Sequence, residues 1–218
     1  MDNGSGSKHW PEIRVIPRVH VVTDDSVLRR GDFHARAKEI LDVGFPVAFH
    51  IRAPQATGDC LVGLAAQLRN QKFSSGTKIL VNDRVDVALC INLDGVHIGN
   101  RSLLPTEVRA LLGPDSLLGV SVHGVEEAVE AVQGGADFLF VGAIWETLSH
   151  PGGIVMGLDL IRDVKAAISV PIVGIGGVTP ALASSIIDAG GHGIAAIRGI
   201  WDAPSSGHAV QAYFQALG

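Results

Sequence analysis

The 218-residue chain has only two cysteines, no excess of basic residues and no long apolar run. Cys60 and Cys90 form neither a CxxC pair nor a metal-ligand spacing, so we interpret them as reduced thiols of a cytoplasmic protein. The 17 Lys and Arg against 22 Asp and Glu give a net charge of −5, which indicates no nucleic-acid partner. No apolar run approaches the roughly 20 residues of a membrane span, which predicts no membrane partner.

Residues 1–12 are polar and rich in Gly and Ser, without the apolar centre of a signal peptide. We expect a flexible segment there. One domain is predicted over residues 13–218, because a chain of this length with 47% hydrophobic residues can bury one sizeable core. The sequence thus predicts a soluble, cytoplasmic, single-domain protein.

Short apolar runs alternate with helical patterns along nearly the whole chain. Strands are predicted at residues 18–23, 46–52, 78–83, 94–99, 117–123 and 137–143 and within 171–180 and 191–201. Helices are predicted at residues 33–41, 60–70, 85–91, 105–112, 125–135, 158–168, 180–189 and 206–216. Eight β-then-α units with continuously apolar strands predict a single (β/α)8 TIM barrel. A doubly wound open sheet is the alternative, but its glycines usually follow the first strand, and here that turn reads TDDS.

The last two predicted strands run into glycines. The sequence PIVGIGGVTP occupies residues 171–180, and GHGIAAIRGIW occupies residues 191–201. Thr179 and Pro180 suit the N-cap and first position of a helix. Backbone N–H groups at such strand ends attract anions, and the loops after the last two strands of this barrel type commonly hold phosphate. The alternative is that the glycines only permit tight turns and close helix packing. The predicted phosphate-binding residues are Gly176, Gly177, Ile197 and Arg198.

Polar side chains also stand where the other predicted strands end, the edge at which barrel enzymes carry their chemistry. His123 ends the fifth strand, and an imidazole can accept and donate a proton near neutral pH. Its alternative role is that of a surface residue in the following turn. Arg52 offers a planar fork for phosphate or carboxylate. The alternative for Arg52 is an ion pair with one of the aspartates at the same edge.

Those aspartates are Asp24, Asp25 and Asp83. Their oxygens could hold Mg²⁺, but no ligand spacing requires it, and ion pairing is favoured. Trp145 follows the sixth strand and could cover a ring-shaped ligand or pack the loop against the barrel. Both interpretations of Trp145 stay open at this point.

Seven stretches together resemble the thiamine phosphate synthase/TenI superfamily over residues 18–203. They are VVTDD (21–25), HIR (50–52), VNDRVDVAL (81–89), DGVHIG (94–99), GVSVHGVEEA (119–128), VGAIWET (141–147) and PIVGIGGVTP (171–180). The resemblance implies a TIM barrel that binds a small phosphorylated thiazole-type ligand.

The synthase branch joins a pyrimidine diphosphate to a thiazole phosphate and releases pyrophosphate with the help of Mg²⁺. The resemblance implies a Gln-x-Arg-x-Lys stretch, a second metal-binding Asp and a lysine after the sixth strand. This chain has His50 for the glutamine, Pro54 and His150 for the lysines and Ser102 for the aspartate. Because cations stabilise a departing diphosphate, these losses make synthase activity the alternative, and Mg²⁺ is expected only with it.

The TenI branch is a thiazole tautomerase that aromatises a carboxythiazole phosphate by proton transfer and needs no metal. The HIR, Trp-Glu-Thr and Ser-x-His patterns resemble it and imply His123 as the proton carrier. Arg198 departs from both branches, which usually have Ser there, so it either binds or blocks the phosphate. The implied substrate contacts are His50, Arg52, Asn82, Ser121, Glu146, Thr147 and Ser149.

The sequence therefore predicts a TenI-type thiazole tautomerase, an isomerase without cofactor or metal. A non-catalytic ligand binder and another phosphate-ester enzyme on the same barrel are further alternatives, because fold does not determine function. A homo-oligomer is left open.

Overall fold

The computed structural model describes residues 15–71, 73–147 and 152–218. The expected flexible segment at residues 1–12 lies outside the described residues, as do Ser149 and His150.

Eight parallel strands form a closed barrel in which each strand pairs with its neighbours in the chain. The barrel closes where β1 pairs with β8, with Val19 opposite Ile194. This confirms the predicted (β/α)8 TIM barrel. The strands are β1 (Val19–Val22), β2 (Ala48–Ile51), β3 (Lys78–Asn82), β4 (Gly95–Ile98), β5 (Leu117–Val122), β6 (Phe138–Val141), β7 (Ile172–Ile175) and β8 (Gly193–Ala196).

Helices follow the strands and cover the outside of the barrel. They are α1 (Asp25–Leu28), α2 (Phe33–Leu41), α3 (Gly58–Arg69), α4 (Val85–Ile91), α5 (Pro105–Leu112), α6 (Val125–Gln133), α7 (Gly157–Ala167), α8 (Pro180–Asp188), α9 (Arg198–Trp201) and α10 (Ser206–Ala216). The eight predicted helices are present. The four-residue helices α1 and α9 were not predicted, because one turn is too short to show a periodic apolar pattern. Among the described residues, no helix is both long and apolar enough to cross a bilayer.

Thr179 occupies the predicted N-cap position of α8, but it does not form the side-chain hydrogen bond of a cap. Thr179 has the extended backbone of an N-cap residue and Pro180 follows it at the start of the helix, but the Thr179 side chain makes no capping hydrogen bond. At α1 the capping bond does form, since the Asp24 carboxylate accepts from the amide of Val27.

Two apolar layers hold the fold together. The larger layer lies between the strands and the helices, and a smaller one fills the barrel interior. The interior also contains three fully buried histidines, His20, His50 and His97, whose rings pack around Phe138 and Phe140. The barrel interior of this protein is therefore partly polar.

Trp201 anchors the segment after β8. Its side chain is fully buried, its indole N–H donates to the carbonyl of Val22 at 2.9 Å, and its ring stacks on Phe33 with centroids 5.4 Å apart. Replacing a buried Trp by Ala typically costs about 3–5 kcal/mol.

We therefore expect Trp201→Ala to lower the free energy of unfolding by about 3–5 kcal/mol in urea titrations. Trp201→Phe keeps an aromatic ring but loses the hydrogen bond, so it should cost clearly less. Equal losses in the two variants would contradict the importance of the aromatic packing.

Arg18 ties the start of β1 to the end of the described chain. Its guanidinium donates to the carbonyls of Leu217 at 2.6 Å and Gly218 at 2.7 Å, and its Nε donates to the carbonyl of His192 at 3.2 Å. Because Arg18 precedes β1, this contact lies at the amino ends of the strands.

Candidate active site

The carboxyl ends of the eight parallel strands meet at one face of the barrel, which we call the mouth. Arg52 follows β2, Asp83 follows β3, His123 follows β5, Glu146 follows β6 and Gly176 follows β7. The fold thus brings most of the predicted site residues to a single edge, where barrel enzymes hold their substrates.

Arg52 carries an uncompensated positive charge at the mouth. Its backbone is anchored by Thr23, whose hydroxyl bonds both the N–H and the carbonyl of Arg52 at 2.9 Å. The half-buried guanidinium makes no hydrogen bond or ion pair with any described residue. After burial and the neighbouring His20, the positive charge of Arg52 also helps to lower the pKa of His97. An unpaired guanidinium in this position is suited to bind an anion.

The predicted ion pair between Arg52 and an aspartate does not form. The Asp24 carboxylate pairs with Arg198 at 3.0 Å, and the Asp25 carboxylate accepts from the amide of Gln55 at 2.9 Å. The Asp83 carboxylate accepts from the amide of Gly99 at 3.1 Å.

The loop after β7 leaves amide groups free. Gly176 and Gly177 have φ of +95° and +65°, values that favour glycine. Their N–H groups donate to no acceptor among the described residues, and neither do those of Arg198 and Gly199 in the first turn of α9. These four amides form what we call the amide cradle, an arrangement suited to a phosphate.

The alternative interpretation of these glycines also has support. A Cβ at Gly177 would lie 2.3 Å from the carbonyl oxygen of Glu146 and 2.8 Å from the Cβ of Trp145. Glycine is therefore needed for close packing against the loop after β6. The two interpretations are compatible, since the packing leaves the amides unbonded.

Arg198 contributes its backbone N–H to the amide cradle, while the charge of its side chain is already paired. Its guanidinium donates to the Asp24 carboxylate and the Ser26 hydroxyl, both at 3.0 Å, and lies 3.7 Å from the Asp202 carboxylate. Burial alone would raise the pKa of Asp24, but hydrogen bonds from Ser26 and Val27 and the charge of Arg198 lower it below 3.8. The side chain of Arg198 thus points to the loop after β1, and its charge is compensated there.

His123 lies on the surface, with 46% of its side chain exposed. Its Nδ1 is 3.4 Å from the Glu127 carboxylate and 3.4 Å from the Asn100 amide nitrogen. The Ser121 hydroxyl instead bonds His97 Nε2 at 2.8 Å. The Ser-x-His pattern therefore does not form a hydrogen-bonded pair.

His50 lies in the barrel interior with no exposed surface, below the mouth where a substrate contact was expected. Its Nε2 is 2.9 Å from His20 Nδ1. Burial, followed by the neighbouring histidines, places the pKa values of His20 and His50 well below the usual 6.5 and lowers that of His97 to about 3. The interior histidines are therefore uncharged at neutral pH.

Asn82 and Asp83 end β3 side by side. Asn82 is half-buried, and its Oδ1 is buried without a hydrogen-bond partner. Asp83 is exposed and has a φ of 60°. Within the part of the chain that the structure describes, no group of three or more His, Cys, Asp or Glu residues could hold a metal ion.

The loop after β6 supplies the remaining predicted contacts. Trp145 packs against the hydrophobic core, and its amide donates to the carbonyl of Gly176 at 3.1 Å, which supports the packing interpretation of this residue. Glu146 is exposed and Thr147 is half-buried. Ser149 lies outside the described residues.

A model of the thiamine monophosphate synthase family matches residues 19–200. This chain belongs to that family. It is 39% identical to the thiamine-phosphate synthase of Chloroflexus aurantiacus over 84% of each chain, and 41% identical to that of Geobacillus kaustophilus over 83% of each. A solved structure of thiamine phosphate pyrophosphorylase from Pyrococcus furiosus superimposes with a TM-score of 0.78 at 27% identity, covering 92% of this chain and 95% of that one.

The family membership confirms the predicted resemblance, but the expected branch was wrong. The similar proteins carry the name of the synthase, a transferase, and not of a tautomerase or another isomerase. The expectation gave too much weight to the lost charged residues and to the Ser-x-His pattern, whose histidine lies exposed beside Glu127.

Proposed function

We propose that this chain is a thiamine-phosphate synthase, which joins a pyrimidine diphosphate to a thiazole phosphate and releases pyrophosphate. The observation that carries the proposal is the identity of about 40% to synthases over more than four-fifths of the chain. The mouth supports it with two separate anion-binding features, Arg52 and the amide cradle. Two phosphorylated substrates require two such features.

Arg52 would bind the diphosphate. In the reaction, the bond between the pyrimidine-bearing group and the diphosphate breaks, and its electron pair leaves with pyrophosphate. A guanidinium fork stabilises the negative charge that develops on the departing oxygens. Because this guanidinium has no partner among the described residues, no ion pair must be broken when the substrate binds.

The amide cradle would bind the phosphate of the thiazole substrate. Its four N–H groups lie at the start of α9 and in the turn before α8, where the orientation of helical peptides favours an anion. Arg198 then contributes its backbone N–H, and its side chain holds the loops after β1 and β8 together through Asp24. Ile197, the N-cap residue of α9, provides none of the four amides and stays a prediction.

The residues present fit a Mg²⁺ ion that is shared with a diphosphate. Asp83 offers an exposed carboxylate with one oxygen oriented by the amide of Gly99. Mg²⁺ is commonly held by one or two carboxylates together with substrate phosphates, so a single Asp suffices, with the half-buried Ser102 in place of the second carboxylate. When bound, the ion neutralises charge on the diphosphate.

The other predicted contacts stay predictions within this proposal. Ser121 and Asn82 belong to β5 and β3, and Glu146 and Thr147 follow β6, so all four stand at the mouth end of their strands. His123 has no assigned step in the synthase reaction. A cytoplasmic location is supported by two exposed free cysteines, Cys60 and Cys90, which suit a reducing compartment.

The test is a synthase assay on the purified chain with both substrates and Mg²⁺. We expect thiamine phosphate and pyrophosphate in equal amounts, and we expect a metal chelator to abolish both. Arg162→Ala serves as the matched control for replacing Arg52 at the mouth, because Arg162 is exposed and pairs with Asp159 on its own helix. Binding of both substrates without product would reject the synthase and favour the non-catalytic binder.

A further inference from the structure

The buried histidines form a hydrogen-bonded chain that starts at the backbone. His20 Nε2 lies 2.9 Å from the carbonyl oxygen of Pro17, and His20 Nδ1 lies 2.9 Å from His50 Nε2. Both side chains are fully buried, and neither reaches the mouth. The reaction proposed above gives them no direct role.

The proton positions in this chain follow from its first member. A carbonyl oxygen only accepts, so His20 Nε2 must carry a hydrogen. A neutral imidazole has one N–H, so His20 Nδ1 is an acceptor and His50 Nε2 must donate to it. His50 Nδ1 is then left as a buried acceptor, and no described residue makes a hydrogen bond to it.

Besides His20, two polar side chains neighbour His50, those of His97, whose ring centroid lies 5.4 Å from that of His50, and of Asn82. His50 pairs with Leu80 in the register of β2 and β3, so Asn82 stands two residues further along the adjacent strand, and its side chain interacts with His50. The Oδ1 atom of Asn82 is buried without a partner. Two buried acceptors without a donor are unfavourable, whereas an Asn82 amide with Nδ2 turned towards His50 can donate to His50 Nδ1.

We propose that His50 is a positioning residue that orients the Asn82 amide, with Nδ2 bonded to His50 Nδ1 and Oδ1 presented to the mouth. The mouth then offers a hydrogen-bond acceptor at the end of β3. An acceptor there selects a ligand that carries an N–H group. Within the proposed function, this ligand is the pyrimidine half, bound through an amino or ring N–H.

The proton positions are tested without any substrate. Long-range ¹⁵N–¹H NMR of the ligand-free protein should show the hydrogen on Nε2 and a bare Nδ1 for both His20 and His50. A hydrogen on Nδ1 of His50 would overturn the proposal. This measurement uses the unaltered chain, so it stands even if no synthase activity is found.

The effect on binding is tested with His50→Leu and His50→Gln. Leucine cannot accept from Asn82, so the KM for the pyrimidine diphosphate should rise about three- to tenfold, while the KM for the thiazole phosphate stays the same. Glutamine offers a side-chain carbonyl in place of Nδ1 and should restore most of the affinity.

His192→Gln is the control, because His192 also bonds a carbonyl, that of Ile16 at 2.8 Å, but belongs to the amino end of β8. It should change neither KM. Equal rises for both substrates in His50→Leu would indicate a merely structural role and would overturn the proposal. An inactive wild-type chain with the expected NMR signals would reject the synthase while keeping the orientation of Asn82.

Discussion

Replacing Arg52 by alanine is expected to lower kcat/KM for the pyrimidine diphosphate by about 10²- to 10³-fold, the usual cost of removing a group that stabilises developing negative charge. Arg52 is the half-buried guanidinium at the mouth that lacks an ion-pair partner within the described ranges. Because the guanidinium pairs with no described residue, replacing Arg52 by alanine breaks no ion pair or hydrogen bond of this side chain there. The thermal stability of Arg52→Ala should therefore equal that of the unaltered protein.

Two comparisons sharpen this prediction. Arg52→Lys keeps the charge but not the planar fork, so its activity should lie between those of the alanine variant and the unaltered protein. The KM for the thiazole phosphate should change little in either variant, because that substrate is assigned to the amide cradle. An active Arg52→Ala enzyme would exclude Arg52 from the diphosphate site.

Mild acid is expected to destabilise the fold strongly. The three interior histidines are fully buried, and their folded-state pKa values are depressed, to about 3 for His97. Below pH 6.5 the unfolded chain binds protons that the folded chain does not, so stability falls as the pH falls from 6.5 towards 3. A histidine that stays neutral in the folded chain lowers the stability by about 1.4 kcal/mol per pH unit below 6.5, and His97, with its pKa of about 3, does so over this whole window. His20 and His50 add to the loss in the same direction.

Urea unfolding at pH 7, 6 and 5 measures this loss. The surface carboxylates do not interfere, because their ordinary pKa values lie near 4, below this window. His20→Phe is the informative variant, since it removes one buried imidazole among the rings of Phe138 and Phe140 and should make the loss shallower. Stability that stays constant from pH 7 to pH 5 would show that the interior histidines accept protons in the folded state.

The barrel was predictable because its signals are local. Strand β6 is a continuous apolar run, and α5 begins with the proline that suits a helix start. The mouth was predictable as well, since every parallel strand must end at the same edge. Helix α9 was missed, although Arg198 was identified, because a single turn leaves no periodic pattern in the sequence.

The partners of the charged side chains could not be read from the sequence. From the sequence, both Arg52 and Arg198 could pair with Asp24. The Asp24 carboxylate pairs with Arg198 because the fold brings the loops after β1 and β8 together. His20 was also missed. It sits between Val19 and Val21 in an apolar strand, and only the pairing of β1 with β2 brings it to His50.

The choice between two related reactions was wrong for a different reason. The missing lysines and aspartate are visible in the sequence, but their cost depends on what else binds the diphosphate. The chain keeps the arginine of the implied Gln-x-Arg-x-Lys stretch as Arg52, which pairs with no described residue, and it keeps the exposed Asp83 at the end of β3. The lost residues therefore did not exclude the synthase.

The contact of Arg18 with Leu217 and Gly218 has a practical consequence for handling the protein. It places Leu217 and Gly218 at the amino ends of the strands, on the face opposite the mouth. A fluorescent protein or a surface-attachment tag fused after Gly218 would leave the mouth open to substrates. Immobilisation through such a tag would orient every molecule with its mouth towards the solution.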